Sequence, residues 1–543
     1  MKLMRNFLQK YFVWIILTLS VCVSLFFAVY KINVAPPGFN ADEAAFSYNA
    51  YSILKTGADE YGTFLPVRLK SFGDYKMPLY SYLSVPFIAM FGLNEIGARA
   101  LNMFLAAIFP FAIYFFTKEL FKNKIIGVTS ALLISVCLGK GIIERQAHEA
   151  LLAAFLITLG SYFILKFIDT QKYRYGIAFV VSLFLALFSY QSSRLFALFF
   201  FIFVISYFFF KKVKTKARIV VLIFFIISLV TFAVTDIIYK PTRVANLFIT
   251  NTAGFGMKIM QLRSEGGNRV FYNPLTVGVR DALYQYSLYF SPQFLVENGD
   301  SNVRFGFEDM SPITPLEYFF IFIGFYYLFK NKERWRYYIL SLFFISPITA
   351  ALTWADLSFT RSFFILIPTL VIVSYGFYNF LIAFRKKRIF NYLLIALLCI
   401  EALFLFYSWD FYLNHYSKRA LPAQSWQAGY QELGDYVKAN YKKFDTFYIT
   451  QKNGEPYIFL LFYLNYPPQE YQKQATLSAP DQFGFGQVEK FDKFNFTIPA
   501  QAFRQKHVAI IGYPDDFNNI PLDQHRLKKI IINNFPIFWI YEE

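Results

Sequence analysis

Three cysteines stand in 543 residues. Cys22, Cys137 and Cys399 each lie in or beside an apolar run, so neither a disulfide framework nor a thiolate metal-ligand spacing is present. Charge is scarce as well: 16% of residues are Asp, Glu, Lys or Arg, where a soluble chain carries about a quarter. No internal repeat or low-complexity tract occurs. The stretch FGFG at 483–486 lacks the third glycine and the helix start that a dinucleotide loop needs. These absences exclude a secreted disulfide scaffold, a Rossmann-type nucleotide site and an ordinary soluble enzyme.

What is present is apolar and aromatic. The chain is 56% hydrophobic and 21% aromatic, with 70 phenylalanines. The excess comes in blocks of roughly 15–22 residues, the length that spans about 30 Å of hydrocarbon as a helix. The composition predicts a polytopic α-helical membrane protein. A net charge of +18 points away from nucleic acid once its position is considered. Basic clusters at 118–124, 166–174, 211–218, 330–336 and 385–388 fall in short loops between apolar blocks, as the positive-inside rule requires.

With basic loops inside, about eleven spans are expected, at 11–30, 98–117, 125–138, 150–167, 175–190, 194–210, 218–236, 315–330, 337–353, 362–384 and 389–409. The first is expected to be a retained signal anchor. The short segment 79–93, with Pro86 inside it, is expected to lie at the interface. The N-terminus is then cytoplasmic. The outer face carries a long first loop (31–97), the stretch 139–150, the turn 189–194, a loop at 238–314, the segment 353–361 and everything after 411. Two parts are expected: a membrane part, 1–411, and a small extracytoplasmic α/β domain, 412–543. In the latter, helices are predicted at 429–444 and 455–464, and strands at 445–450, 507–514, 527–533 and 536–542.

Chemistry-bearing residues concentrate on that outer face. Asp42 and Glu43 follow the first span within about ten residues, and adjacent carboxylates cannot share one helical face, so they take different tasks. The helix predicted after PPG (36–38) is capped by Asn40 or Asp42 and ends at Gly57. A carboxylate at this depth can serve as a cap or as a general base. Lys76 sits among aromatics before Pro78, and Glu95 and Arg99 have the spacing of a helix ion pair. Arg145 with Glu149, and Glu144 with His148, are each one turn apart. Arg194 and Arg361 are arginines where the positive-inside rule disfavours them, which suggests an anionic headgroup or a lipid-linked phosphate. A His/Glu pair alone is weak support for a metal, and no DxD triplet stands in the first loop.

The order of these pieces resembles the GT-C superfamily of membrane glycosyltransferases, in its protein mannosyltransferase-like and aminoarabinose transferase-like branch. The points of likeness are the DE pair at 42–43, YKMPLYSYL at 75–83, FGLNEIGARALNMF at 91–104 and RQAHEALLAAFLITLGSYF at 145–163. The likeness covers roughly residues 10–200; the remainder matches in layout. It implies inverting transfer of a sugar from a polyprenyl-phosphate donor to a hydroxyl of a lipid, glycan or protein acceptor, at the outer face of the plasma (inner) membrane. Asp42 is then the catalytic base and Glu43 orients a cation or the acceptor. Lys76 and Arg145 stabilise the phosphate, with Arg99, His148, Glu149, Arg194 and Arg361 around the substrate. No metal ligand is assigned, and no cofactor is expected to be required, although a divalent cation is compatible with the family. KMP (76–78) replaces the double proline of the aminoarabinose transferases, a departure that touches donor recognition and not the class. The alternatives are a transporter or flippase of lipid-linked or envelope glycans, which would favour mid-span charges and repeated halves, and a non-catalytic envelope-binding protein that would tolerate loss of Asp42.

Overall fold

A computed structural model of the chain describes residues 2–72, 74–210, 214–239, 248, 250, 253–353, 356–479, 488–518 and 520–543. The stretch 483–486 lies outside them.

The chain is a multi-pass membrane protein. Each expected span coincides with a helix. Seven helices are long and apolar enough to cross a membrane, and eight if the pair Lys124–Val136 and Leu138–Glu144, bent by 56°, is one span. Helices at other expected spans, Tyr173–Leu187 and Ser193–Phe208, are shorter, and Pro315–Lys330 has 16 residues. Length and composition alone thus qualify seven or eight of the eleven expected spans among the described residues. In chain order the first ten helices are α1 (Lys2–Val29), α2 (Ala41–Thr56), α3 (Leu79–Phe91), α4 (Glu95–Phe121), α5 (Lys124–Val136), α6 (Leu138–Glu144), α7 (Glu149–Thr170), α8 (Tyr173–Leu187), α9 (Ser193–Phe210) and α10 (Thr215–Tyr239).

Helices α4 and α7 run between two chemically different ends of the bundle. At one end, basic loops are stitched together: Lys122 and Arg334 both reach Asp169 (2.8 and 2.7 Å), and Lys166 reaches Glu119 (2.8 Å). At the other end, α2 and α3 lie beneath the C-terminal residues.

Two helices later in the chain show how closely the bundle is packed. A Cβ at Gly376 would lie 2.6 Å from the Gly324 nitrogen, and one at Gly324 would lie 2.4 Å from the Ile372 carbonyl oxygen. Leu366–Phe384 and Pro315–Lys330 therefore touch backbone to backbone, the approach that small residues permit in membrane helix pairs. Gly376→Leu is expected to destabilise the protein by at least about 1–3 kcal/mol, the usual cost of overpacking. A thermal melt in detergent checks this; an unchanged midpoint would mean the helices can separate freely.

Stretches expected as loops hold structure. Residues 139–144, expected on the outer face, belong to the buried helix α6, where Lys140 and Glu144 form an ion pair of 2.6 Å with both side chains fully buried. The chain then turns at Arg145–His148 before α7, so neither Arg145 with Glu149 nor Glu144 with His148 shares one continuous helix. The region 238–314 contains helices Ala253–Ser264 and Pro274–Leu288 and a π turn at Gln293–Asn298.

Two short strands, β1 (Leu69–Ser71) and β2 (Asp74–Lys76), form a hairpin after α2. Seven further strands, β3 (Thr446–Ile449), β4 (Thr476–Leu477), β5 (Val488–Phe491), β6 (Phe494–Asn495), β7 (Val508–Gly512), β8 (Leu527–Ile532) and β9 (Phe535–Glu542), form one mixed sheet in the order β4-β5-β6-β3-β7-β9-β8. Strand β3 is parallel to both β6 and β7; the other pairs are antiparallel. One face carries Phe447, Ile449 and Ile511, packed with Phe459 and Phe462 of the helix Pro456–Tyr463 and with Ala44 and Tyr48 of α2. The Tyr48 hydroxyl also donates to the Tyr466 carbonyl (2.9 Å), and the Ala41 N–H donates to the Gln427 side chain (2.8 Å). Helix α2 is thus held between the bundle and the sheet.

Candidate active site at the helix ends

The start of α2 determines which carboxylate can act. Asn40 is the N-cap: its side-chain oxygen accepts the N–H groups of Asp42 (3.0 Å) and Glu43 (3.2 Å), and the Glu43 side chain closes the capping box. Asp42 is therefore released from capping. Its neighbour faces the other way. Glu43 is fully buried and clasped by Arg99, with Nε to Oε1 at 3.0 Å and Nη2 to Oε2 at 3.1 Å, while Oε1 also accepts the Ala147 N–H (2.8 Å). Arg99 makes the expected helix pair with Glu95 (3.6 Å) and donates to the carbonyls of Gly38 (2.8 Å) and Ile32 (3.3 Å).

Asp42 remains 48% exposed and pairs with Lys76 (2.6 Å) at the end of β2. The ammonium lies 4.4 Å and 4.9 Å from the ring centroids of Phe72 and Phe46, an aromatic cradle that keeps it aimed at the carboxylate. The second Asp42 oxygen is 4.0 Å from the Arg304 guanidinium. Together Asp42, Lys76, His148, Glu149, Arg194, Arg304 and Arg361 line a cavity of about 320 Å³. Its cations come from separate elements. Arg194 starts α9 and pairs with Asp236 of α10 (3.1 Å), which also pairs with the buried Arg68. Arg361 donates to the Thr353 carbonyl (2.7 Å).

Burial pushes the His148 imidazole down to about 4; Asp42 opposes this, and Arg304 and Lys76 reinforce it. It is therefore neutral at pH 7, and its contact with Glu149 (3.8 Å) is not an ion pair. Nδ1 accepts the Ala150 N–H (3.1 Å), so Nε2 carries the proton and can donate. Burial likewise raises the Tyr190 phenol to about 12.

Six of the sequence-derived residues thus share one cavity: Asp42, Lys76, His148, Glu149, Arg194 and Arg361. Three do not line it. Glu43 and Arg99 satisfy one another beneath α2. Arg145, expected at a phosphate, is buried and directed at backbone: Nε donates to the Ala35 carbonyl (2.9 Å) and Nη1 to that of Phe27. The reason in each case is burial, since a guanidinium taken out of water needs its donors satisfied at once, and backbone or Glu43 already does so.

Sequence reading missed Arg304 and the residue that seats it, Asp300. An arginine flanked by phenylalanine on the same face as Arg194 and Arg361 was the available signal. Buried Asp300 accepts the N–H groups of Asn302 (2.8 Å) and Phe359 (2.5 Å), and Ser301 donates to the Leu357 carbonyl (3.0 Å). The turn bearing Arg304 is thereby tied to the segment bearing Arg361. Burial lifts the Asp300 carboxyl to about 6, against the N–H donors of Asn302 and Phe359 and the nearby Arg361; Tyr289 faces it from the helix before the turn. A carboxyl raised in this way takes up its proton in the folded state first, so acidification through about pH 6 does not lower stability through this group. Activity should nevertheless fall over that range, because the charged acceptor is lost. Asp300→Asn is expected to lower activity at pH 7.5 and to flatten the acid limb of the pH–rate profile. An acid limb unchanged in the variant would assign it to another group. Among the described residues, no three His, Cys, Asp or Glu side chains are grouped to hold a metal.

Residues 75–235 match the dolichyl-phosphate-mannose-protein mannosyltransferase family. No curated protein matches the chain. Among solved structures, ArnT from Cupriavidus metallidurans in the apo state is 11% identical over 97% of this chain and 97% of that one, with a TM-score of 0.55. The same protein bound to undecaprenyl phosphate is 12% identical over 97% and 98%, also at 0.55. The Archaeoglobus fulgidus oligosaccharyltransferase, tethered to an acceptor peptide, is 13% identical over 84% of this chain with a TM-score of 0.47, and the chain spans 63% of its length. Residues 75–235 are thus similar to the mannosyltransferase family, and nearly the whole chain shares the fold of ArnT.

Proposed function

We propose that the protein is an inverting glycosyltransferase that moves a sugar from a polyprenyl-phosphate donor to an acceptor hydroxyl at the outer face of the plasma (inner) membrane. The observation that carries this is the placement of Asp42: a half-exposed carboxylate released from capping, at helix-end depth, beside Lys76 and three arginines. A lipid-linked sugar presents its phosphoester at that depth. Asp42 takes the proton of the acceptor hydroxyl, whose oxygen attacks the anomeric carbon as the carbon–oxygen bond to phosphate breaks. Polyprenyl phosphate leaves with the electron pair, and single displacement inverts the anomeric centre. Lys76, Arg194, Arg304 and Arg361 are the cations on which the growing phosphate charge falls, a preorganised field in a partly dehydrated cavity. Neutral His148 donates from Nε2, and Glu43 with Arg99 positions α2 from below. The structure of ArnT with undecaprenyl phosphate supports a lipid phosphate as the ligand. The basic loops gathered at the far end support an N-terminus inside and the C-terminal sheet outside.

The test is a panel of labelled polyprenyl-phosphate hexoses and pentoses offered to the full-length protein in membranes, with and without EDTA. One donor is expected to be cleaved with release of polyprenyl phosphate, and chelation is expected to leave the rate unchanged. If no member of the panel is cleaved, the reading fails.

A further inference from the structure

We infer that the acceptor is a saccharide, held in a second cavity whose outer wall is built by the C-terminal part of the chain. This rests on the transferase reading above and names its second substrate. The second cavity has a volume of about 880 Å³ and shares two residues with the first, Asp42 and Arg304. Lys76 and His148 line only the smaller one. The base therefore stands at a junction: Oδ1 is bound to Lys76 on the phosphate side, and a hydroxyl arriving through the larger cavity meets the same carboxylate from the other side. The larger cavity lies within the size range that encloses a drug-sized ligand, room for about two or three linked sugar rings.

Its walls point to the chemical class. The C-terminal part contributes Lys452, Asn453, Glu455 and Asp515, and the turn at 424–427 contributes Gln424 and Gln427. Donors and acceptors are mixed, Lys452 is offset by Asp515 (3.7 Å) and Asp516 (3.6 Å), Arg304 stands 4.0 Å from Asp42, and the rings of Tyr513 and Phe72 lie among them. An acyl chain needs a wall that is apolar throughout, whereas here Leu421, Pro536 and Ile537 share the wall with these polar side chains. A strongly anionic ligand would meet three carboxylates, Asp42, Glu455 and Asp515, against two cations, Arg304 and Lys452, that already face Asp42 and Asp515. A neutral, polyhydroxylated ligand satisfies both donors and acceptors and can lay its C–H faces on the two rings. The wall is also fixed relative to the base. Gln427 receives the Ala41 N–H with its oxygen and donates to the Asn453 carbonyl (3.0 Å) with its nitrogen, so the loop at 452–455 is tied to the first turn of α2.

The experiment uses the full-length protein, the donor identified by the panel, and three kinds of soluble acceptor: maltotriose and chitotriose, the peptide Ala-Ser-Thr-Ala, and octanol. Sugar is expected to pass to a saccharide and not to the peptide or octanol. Asn453→Ala and Asp515→Asn, both on the surface of the C-terminal part, are expected to raise the saccharide KM about tenfold each, the loss of one well-placed hydrogen bond, without raising the donor KM. Transfer to the peptide or octanol alone, donor hydrolysis with no saccharide modified, or an unchanged acceptor KM in both variants overturns this inference and leaves the transferase standing. If the wild type cleaves no lipid-linked donor, with or without acceptor, the transferase reading falls and takes this one with it.

Discussion

Asp42→Asn is expected to lower sugar transfer by about 10²-fold or more, within the range that general-base catalysis supplies. The substitution keeps the size of the side chain and leaves the helix start intact, because Asn40 and Glu43, not Asp42, form the cap. What it removes is the proposed proton acceptor and the partner of Lys76. That ion pair is half exposed on the carboxylate side, so its loss costs at most about 1 kcal/mol of stability. Activity and stability should therefore separate: the variant accumulates in membranes and melts near the wild-type temperature, yet transfers little sugar. Rate per folded protein, with donor KM measured alongside, is the readout. A variant within about threefold of wild type would mean that the base lies elsewhere. Glu149 would then be the next carboxylate to change, since it lines the same cavity.

Arg99→Met has the opposite signature. It strips the cation from a carboxylate that is fully buried, and breaking a buried pair by removing one partner costs about 3–5 kcal/mol. It also orphans the Gly38 and Ile32 carbonyls that Arg99 serves. The expected result is a large loss of thermal stability in detergent and low accumulation, with activity falling because α2 loosens and Asp42 leaves its place. Replacing both members, Glu43→Leu with Arg99→Met, should recover part of the stability, since no buried charge is left unpaired although the Gly38, Ile32 and Ala147 backbone groups and the capping box stay unserved. Recovery of stability without recovery of transfer would separate the positioning of Asp42 from folding itself. If the single variant melts like the wild type, Glu43 has reached water or another donor, and the clasp seen between α2 and α4 is not what anchors the base.

Several features were legible because they depend on neighbours in sequence. Apolar blocks of span length mark helices wherever they fall, since hydrocarbon requires every backbone group to be paired within the segment. The cap at Gly57 and the start of α2 followed from local turn chemistry. In the C-terminal part, β3, β7, β8 and β9 and the helices at 430–440 and 456–463 lie where β-branched and periodic patterns put them. The two-residue strands β4 and β6 were missed; such short pieces carry no period and exist only because a neighbouring strand pairs with them. The expected spans that fall short of the length test are helices of 15 or 16 residues, such as Tyr173–Leu187 and Pro315–Lys330, because apolar composition marks a helix without fixing its length.

By itself the sequence determined the membrane class, the single face on which the polar groups meet and the carboxylate just after the first span, because each depends on composition, charge asymmetry and distance along the chain. Tertiary structure alone decided which ionisable groups face a cavity. Adjacent Asp42 and Glu43 point in different directions on one helical turn, and only the arrival of Arg99 from α4 makes one a buried anchor and leaves the other beside Lys76. Arg145 and Arg304 differ in placement for the same reason: two carbonyls of the chain near α1 satisfy the first away from the cavity, while a turn held by Asp300 carries the second to Asp42 from more than two hundred residues away. A charge acts where the fold leaves it a free direction, and that direction is set by what else is packed against it.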